Sequence, residues 1–156
     1  MTSYRNRLLL ISLLCFAALG IALASQHLFD MPPCAWCVLQ RLIYLVVGIL
    51  ALLGAVGGAV AARLAALLAA ILAAGGIVAA WYQYSVAARM LSCDQTFADR
   101  FMSGTGLDAA VPWLFGIYAT CMDAMVTVLG VEYALWSLAL FALLLVLALA
   151  AALRRA

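Results

Sequence analysis

The chain has no lysine, a single histidine and little charge of either sign: 9% of its 156 residues are charged, against 71% hydrophobic. Each scarcity excludes something. A soluble domain of this length has nowhere to hide so much apolar surface, so the bilayer is its solvent. With a net charge of +2 and no basic patch, nothing marks a nucleic-acid partner. His27 is the only histidine and no acidic residue clusters with the Cys34–Cys37 motif, which argues against a metal centre. What remains outside four apolar runs is too small for a soluble domain, so one membrane domain covering 1–156 is expected.

The apolar runs predict membrane-spanning helices at roughly 8–25, 38–59, 64–83 and 134–153, because about 30 Å of hydrocarbon takes about 20 residues at 1.5 Å each. In lipid each backbone polar group must be satisfied within its own segment, which makes these runs helices. The expected fold is an all-α membrane protein, a four-transmembrane-helix bundle. Arg5, Arg7, Arg63, Arg154 and Arg155 fall on one side, which the positive-inside rule makes the cytoplasm. Both termini are then cytoplasmic. Asp30, Asp94, Asp99, Asp108, Asp123 and Glu132 all fall in the other segments, consistent with that orientation. Arg5, Arg7, the apolar run and Ala22-Leu23-Ala24 can also be read as a cleavable signal peptide. Uncleaved, that segment is the first span.

Gly54, Gly57 and Gly58 near the end of the second run, and Gly75 and Gly76 in the alanine-rich third, are expected as close-packing positions. Residues 84–130 form one long outer loop. Within it Leu107–Tyr118 is apolar, yet too short and too broken by Pro112 to span. A short interfacial helix along the membrane surface is expected there.

Five cysteines remain to be placed. Cys34-Ala35-Trp36-Cys37 sits where the outer side enters the second apolar run, behind Pro32-Pro33, which stiffen the approach. At a helix start the second thiol meets the positive end of the dipole, which favours its thiolate. Arg41 follows Cys37 by one turn on the same face, about 6 Å deeper, where a guanidinium favours the thiolate further. The bland reading has Arg41 snorkelling to the headgroups. Cys93 and Cys121 close a loop of 27 intervening residues, far from the helices, whose mobility suits attack by another protein's thiolate. A zinc or copper site and a pair of purely structural disulfides are the competing readings, and the structural one leaves Arg41 unexplained. Cys15, mid-span, is expected as a small buried hydrophobe. His27 reads as an interfacial residue, and Trp36 and Trp81 as members of the aromatic belts.

These residues resemble the disulfide bond formation protein B (DsbB) family of bacterial inner-membrane thiol oxidases. The likeness covers nearly the whole chain and is carried by Cys34 through Arg41, Trp81-Tyr82-Gln83, Cys93 with Cys121, and Leu129-Gly130 leading to Trp136-Ser137-Leu138. It implies a quinone-dependent protein-disulfide oxidoreductase that reoxidises a periplasmic DsbA-like thioredoxin-fold protein. Membrane quinone, ubiquinone or menaquinone, is the implied acceptor. By position, Cys34 and Cys37 become the quinone-facing pair and Cys93 and Cys121 the partner-facing pair. Arg41 and Gln83 become quinone-site residues. Where family members often carry a tryptophan after the last loop cysteine, this chain has Met125-Val126. Two readings compete with this one: a related quinone or vitamin K reductase running the opposite flow, and a non-enzymatic helical scaffold with structural disulfides.

Overall fold

The computed structural model describes residues 3–90 and 95–153. Its elements run α1 (Ser3–Leu28), α2 (Ala35–Val56), α3 (Ala59–Ser85), a 3-10 turn (Ala87–Arg89), α4 (Phe97–Thr105), α5 (Leu107–Ala110), α6 (Pro112–Phe115), β1 (Thr127–Val128), β2 (Val131–Glu132) and α7 (Tyr133–Ala152). Four of these, α1, α2, α3 and α7, are long and apolar enough to cross a membrane. They pack as a ring, α1 on α2, α2 on α3, α3 on α7 and α7 back on α1. Outward-facing side chains are as apolar as the core: Ile71 is 69% exposed and Val60 75%. That pattern belongs to a bundle whose solvent is lipid.

Each helix turns a buried stripe inward at alternating spacings of three and four. On α3 the stripe is Ala62, Ala66, Ala69, Ala73, Gly76, Ala80 and Gln83. On α2 it runs Gln40, Tyr44, Val47, Ala51 and Gly54. Alternating three and four keeps one face toward the neighbours, and small side chains on it let backbones approach in lipid, where packing drives association. At Gly76 the approach is closest, because the Phe141 ring occupies the place a Cβ would take. That ring stacks on Tyr44 at 4.2 Å between centroids.

Two boundaries differ from expectation for local reasons. The second helix stops at Val56 rather than reaching 59, because Gly57 and Gly58 take extended backbone (ψ 175° and 176°) and turn the chain into α3. The long loop holds three short helices where one interfacial helix was expected. Thr96 and Asp99 start α4 with a reciprocal capping box, an arrangement that stabilises a helix start by about 1 kcal/mol. Gly106 ends α4 with left-handed backbone (φ 71°). The β1–β2 hairpin turns through Leu129 (φ 55°) and Gly130 (φ 80°), two left-handed residues as the tight hairpin turn requires. Trp136 Nε1 donates to Val128 O at 3.0 Å and pins the hairpin against α7.

Candidate active site

Behind Pro32-Pro33 the chain enters α2 through Cys34, the N-cap residue, in extended backbone (φ −86°, ψ 172°). Its side chain makes no capping bond. The sulfur lies 3.1 Å from Cys37 Sγ. Cys34 is fully buried at 0% exposure and Cys37 half-buried. The backbone amides of Tyr118 and Ala119 donate to Pro33 O at 3.1 and 3.3 Å, which folds the loop over the motif. Phe115 joins Cys34 in the same buried cluster. The fold thereby brings Cys121 within hydrogen-bond reach of Cys34. That bond to Cys121, followed by burial, pushes the Cys34 thiol up to about 12 against the opposing pull of Cys37. Cys34 therefore holds its proton here.

On the other side of Cys37 a cavity of about 430 Å³ opens between α1, α2, α7 and the hairpin. Its size is that of a small-molecule site. Ala18, Ile21 and Leu140 contribute apolar wall, while Cys37, Gln40, Arg41 and Gln83 bring polar groups to it. Arg41 is 5% exposed, so its guanidinium does not reach the surface. It donates to Gln26 Oε1 at 2.6 Å, Leu114 O at 3.0 Å and Ala22 O at 3.2 Å, joining α1, α2 and α6. A guanidinium has five N–H groups, more than these three bonds use. Gln83 Nε2 donates to Cys37 Sγ at 3.1 Å, and Gln40 Nε2 donates to Gln83 Oε1 at 2.6 Å. Ser137 Oγ donates to Gln40 Oε1 at 2.6 Å and lies 2.8 Å from the Tyr44 hydroxyl.

A dithiol at a helix head, a third thiol delivered by a loop and a ligand-sized apolar cavity now stand together, and comparison with known proteins gives them a family. The profile described as "Disulfide bond formation protein DsbB" matches residues 4–151. The chain is 31% identical over 147 residues to disulfide bond formation protein B of Ralstonia nicotianae, covering 94% of this chain and 92% of the relative. It is 32% identical over 142 residues to disulfide bond formation protein B 1 of Pseudomonas syringae pv. syringae, covering 90% and 84%. The chain belongs to the DsbB family.

Among the residues expected to carry chemistry in this DsbB-family chain, Cys34, Cys37, Arg41 and Gln83 converge on one end of the bundle. Cys93 lies outside the described residues. Cys121 is a correction. It was expected far from the helices, and the backbone bonds from Tyr118 and Ala119 to Pro33 draw it to the head of α2 instead. Arg41 spends its bonds on α1 and α6 rather than on Cys37, whose sulfur meets Cys34 and Gln83. Cys15 is fully buried, as expected. His27 Nε2 sits 3.1 Å from Trp113 O, tying the end of α1 to α6. Val126, at the place of the family tryptophan, lines the cavity. Sequence reasoning gave no role to Gln40, Ser137 or Tyr44. The available signal was their place on the inward stripes of apolar helices, where a polar side chain must find a partner.

Proposed function

We propose that this chain is a quinone-dependent protein-disulfide oxidoreductase of the bacterial inner membrane. It reoxidises a periplasmic DsbA-like thioredoxin-fold dithiol and passes the electrons through Cys93/Cys121 and Cys34/Cys37 to ubiquinone or menaquinone. Residues 1–156 act as one membrane domain with both termini in the cytoplasm and the thiols on the periplasmic side. The observation that carries this reading is the order of three thiols: Cys121 on the loop, Cys34 at the helix head, Cys37 on the cavity wall.

A partner thiolate attacks the Cys93–Cys121 disulfide and the partner's second thiol resolves the mixed disulfide. The partner leaves oxidised, and Cys93 and Cys121 remain as thiols. These reduce the Cys34–Cys37 disulfide by the same exchange, so two electrons and two protons move inward. Cys34 is fully buried, so a soluble partner's thiolate has no in-line path to it. The loop pair is the receiver that burial makes necessary.

The cavity's size, its largely apolar wall and the thiol on that wall fit a quinone ring. Cys37, Arg41 and Gln83 are the residues that would hold it. A quinone bound there would supply the final two-electron, two-proton acceptor. Cys37 gives up the electron pair and closes its disulfide with Cys34, while Arg41 offers N–H groups to developing oxygen charge. A high-potential acceptor is needed because DsbA-type oxidants stand at about −120 mV and each 30 mV uphill costs about 1.4 kcal/mol. The route from DsbA through DsbB to quinone is general knowledge of bacterial periplasms.

The test mixes purified protein, a reduced DsbA-type partner and quinone, and follows quinone absorbance together with partner thiols. One quinone consumed per partner disulfide formed is the expected result. Partner oxidation that consumes no quinone would overturn the reading.

A further inference from the structure

The side-chain hydrogen bonds behind Cys37 form a directed chain. Tyr44 O–H reaches Ser137 Oγ at 2.8 Å, shared with Ser137 O at 3.3 Å, and Ser137 Oγ–H donates to Gln40 Oε1 at 2.6 Å. Gln40 Nε2–H donates to Gln83 Oε1 at 2.6 Å, and Gln83 Nε2–H donates to Cys37 Sγ at 3.1 Å. Ser137 has a single proton, and that proton goes to Gln40. Its oxygen is then free to accept from Tyr44. The direction is thus consistent along four bonds, and each arrow ends nearer the sulfur. Gln40 is 5% exposed and Gln83 7%, so both amides are held chiefly by their protein partners.

We propose that Gln40, Ser137 and Tyr44 are positioning residues that act through Gln83 to stabilise the Cys37 thiolate. A hydrogen bond donated to the charged form of a thiol favours that form. Donors lined up in a low-dielectric interior polarise one another, so the bond at the sulfur is stronger than an isolated amide would make. Cys37 is the third residue of α2, where the positive end of the helix dipole adds to the effect. Arg41 was the expected source of this stabilisation, but it is bonded to Gln26, Ala22 and Leu114. The chain of neutral dipoles donates directly to the sulfur, which Arg41 does not, and adds to the field of that nearby cation. Tyr44 anchors the far end, held flat against Phe141.

This inference rests on the reading that Cys37 is the thiol that acts as a thiolate at the cavity, and its test needs neither quinone nor partner. The protein is the full chain with Cys15, Cys34, Cys93 and Cys121 replaced by alanine, leaving Cys37 as the only thiol. The rate of its alkylation by iodoacetamide is followed against pH in detergent. The other titratable groups around Cys37 are Arg41 and Tyr44 on α2, Tyr82 and Tyr84 on α3, and Glu132 and Tyr133 at the start of α7. All but Tyr44 stay unchanged across the series, and Gln40→Met and Ser137→Ala leave every one of them in place.

The expected result is a graded rise in the pH midpoint. Gln40→Met slows alkylation at neutral pH about tenfold, a midpoint about one pH unit higher. Ser137→Ala slows it about threefold and Tyr44→Phe by less, since each is one bond further from the sulfur. Ser137→Thr, which keeps the hydroxyl, restores the parent midpoint. A merely structural role would not produce that order or that rescue. Unchanged midpoints in Gln40→Met and Ser137→Ala would overturn the proposal. A lowered midpoint would overturn it too, because the amides would then be turned round to accept the Cys37 proton. Shifted midpoints in a protein that fails to reduce quinone would leave the chain standing and remove the acceptor. Normal quinone reduction with unmoved midpoints would do the reverse.

Discussion

The two ends of the bundle are built from the same inward stripes and treat them in opposite ways. Toward the α2–α3 turn the stripes carry Gly54, Ala62 and Ala66, and the helices close up on one another. A Cβ on Gly54 would lie 2.6 Å from that of Ala65, and Arg7 Nη1 donates to Ala150 O at 2.5 Å across the same end. Toward Cys34 the stripes change to Gln40 and Tyr44 on α2, Gln83 on α3 and Ser137 on α7, and the helices part around the cavity. The closed end holds the helices at fixed distance, and the open end spends that rigidity on volume and aligned dipoles. Stability and chemistry should therefore separate along the bundle axis.

Substitutions at the open end should have the largest effects. Cys34→Ala or Cys37→Ala abolishes quinone reduction, while Cys15→Ala, deep in packing, leaves it nearly intact. Turnover with reduced partner decides this, and a dead Cys15→Ala protein that still folds would blur the line between the two ends.

Next in size is the silence of Cys34. In the fully reduced protein its thiol is pushed from 9.0 up to about 12. At pH 8 it should alkylate about a thousandfold more slowly than an unstructured thiol, because only the thiolate reacts. The sign is fixed: a raised value keeps the proton on sulfur below it, so the rate climbs about tenfold per pH unit until about pH 12. Alkylation at a free thiol's rate would mean that Cys121 does not sit against Cys34.

Arg41→Met should cost about 10²–10³ in quinone turnover, the usual loss when a donor to a developing oxyanion in a dry site is removed. The reaction with the partner protein should suffer less. Steady-state kinetics with each substrate varied in turn would show this, and an unchanged quinone KM and kcat would reduce Arg41 to a staple between α1 and α6. Smallest in chemistry is the closely packed contact of α2 with α3 at the closed end. Gly54→Leu drives a side chain into Ala65 and should destabilise the fold by about 1–3 kcal/mol. A lower thermal midpoint with quinone turnover nearly intact is the expected outcome, and turnover falling in step with stability would merge the two ends.

The four helices were legible because uninterrupted apolar runs leave no other structure possible in lipid. Their ends were less so. Gly57 and Gly58 stop α2 by taking extended backbone, which a glycine allows without announcing. Thr96 and Asp99, three residues apart as a capping box requires, are a signal for α4 that the expectation of one interfacial helix missed. At the site, Cys34, Cys37, Arg41 and Gln83 stood out by residue type and spacing. The position of Cys121 did not, because main-chain amides of Tyr118 and Ala119 set it, and no side-chain pattern encodes such bonds. Gln40, Ser137 and Tyr44 lay between. Their stripe positions could be read, but the direction of their hydrogen bonds needed three helices brought together.

In the proposed relay the loop receives the partner and Cys121 hands electrons on to the buried pair. Its most direct test keeps all four of Cys34, Cys37, Cys93 and Cys121, adds a reduced partner lacking its own resolving cysteine, and maps the trapped linkage by mass spectrometry. The partner should be found chiefly on Cys93, which releases Cys121 beside Cys34. A linkage chiefly to Cys34 or Cys37 would contradict it and leave the loop cysteines a structural staple.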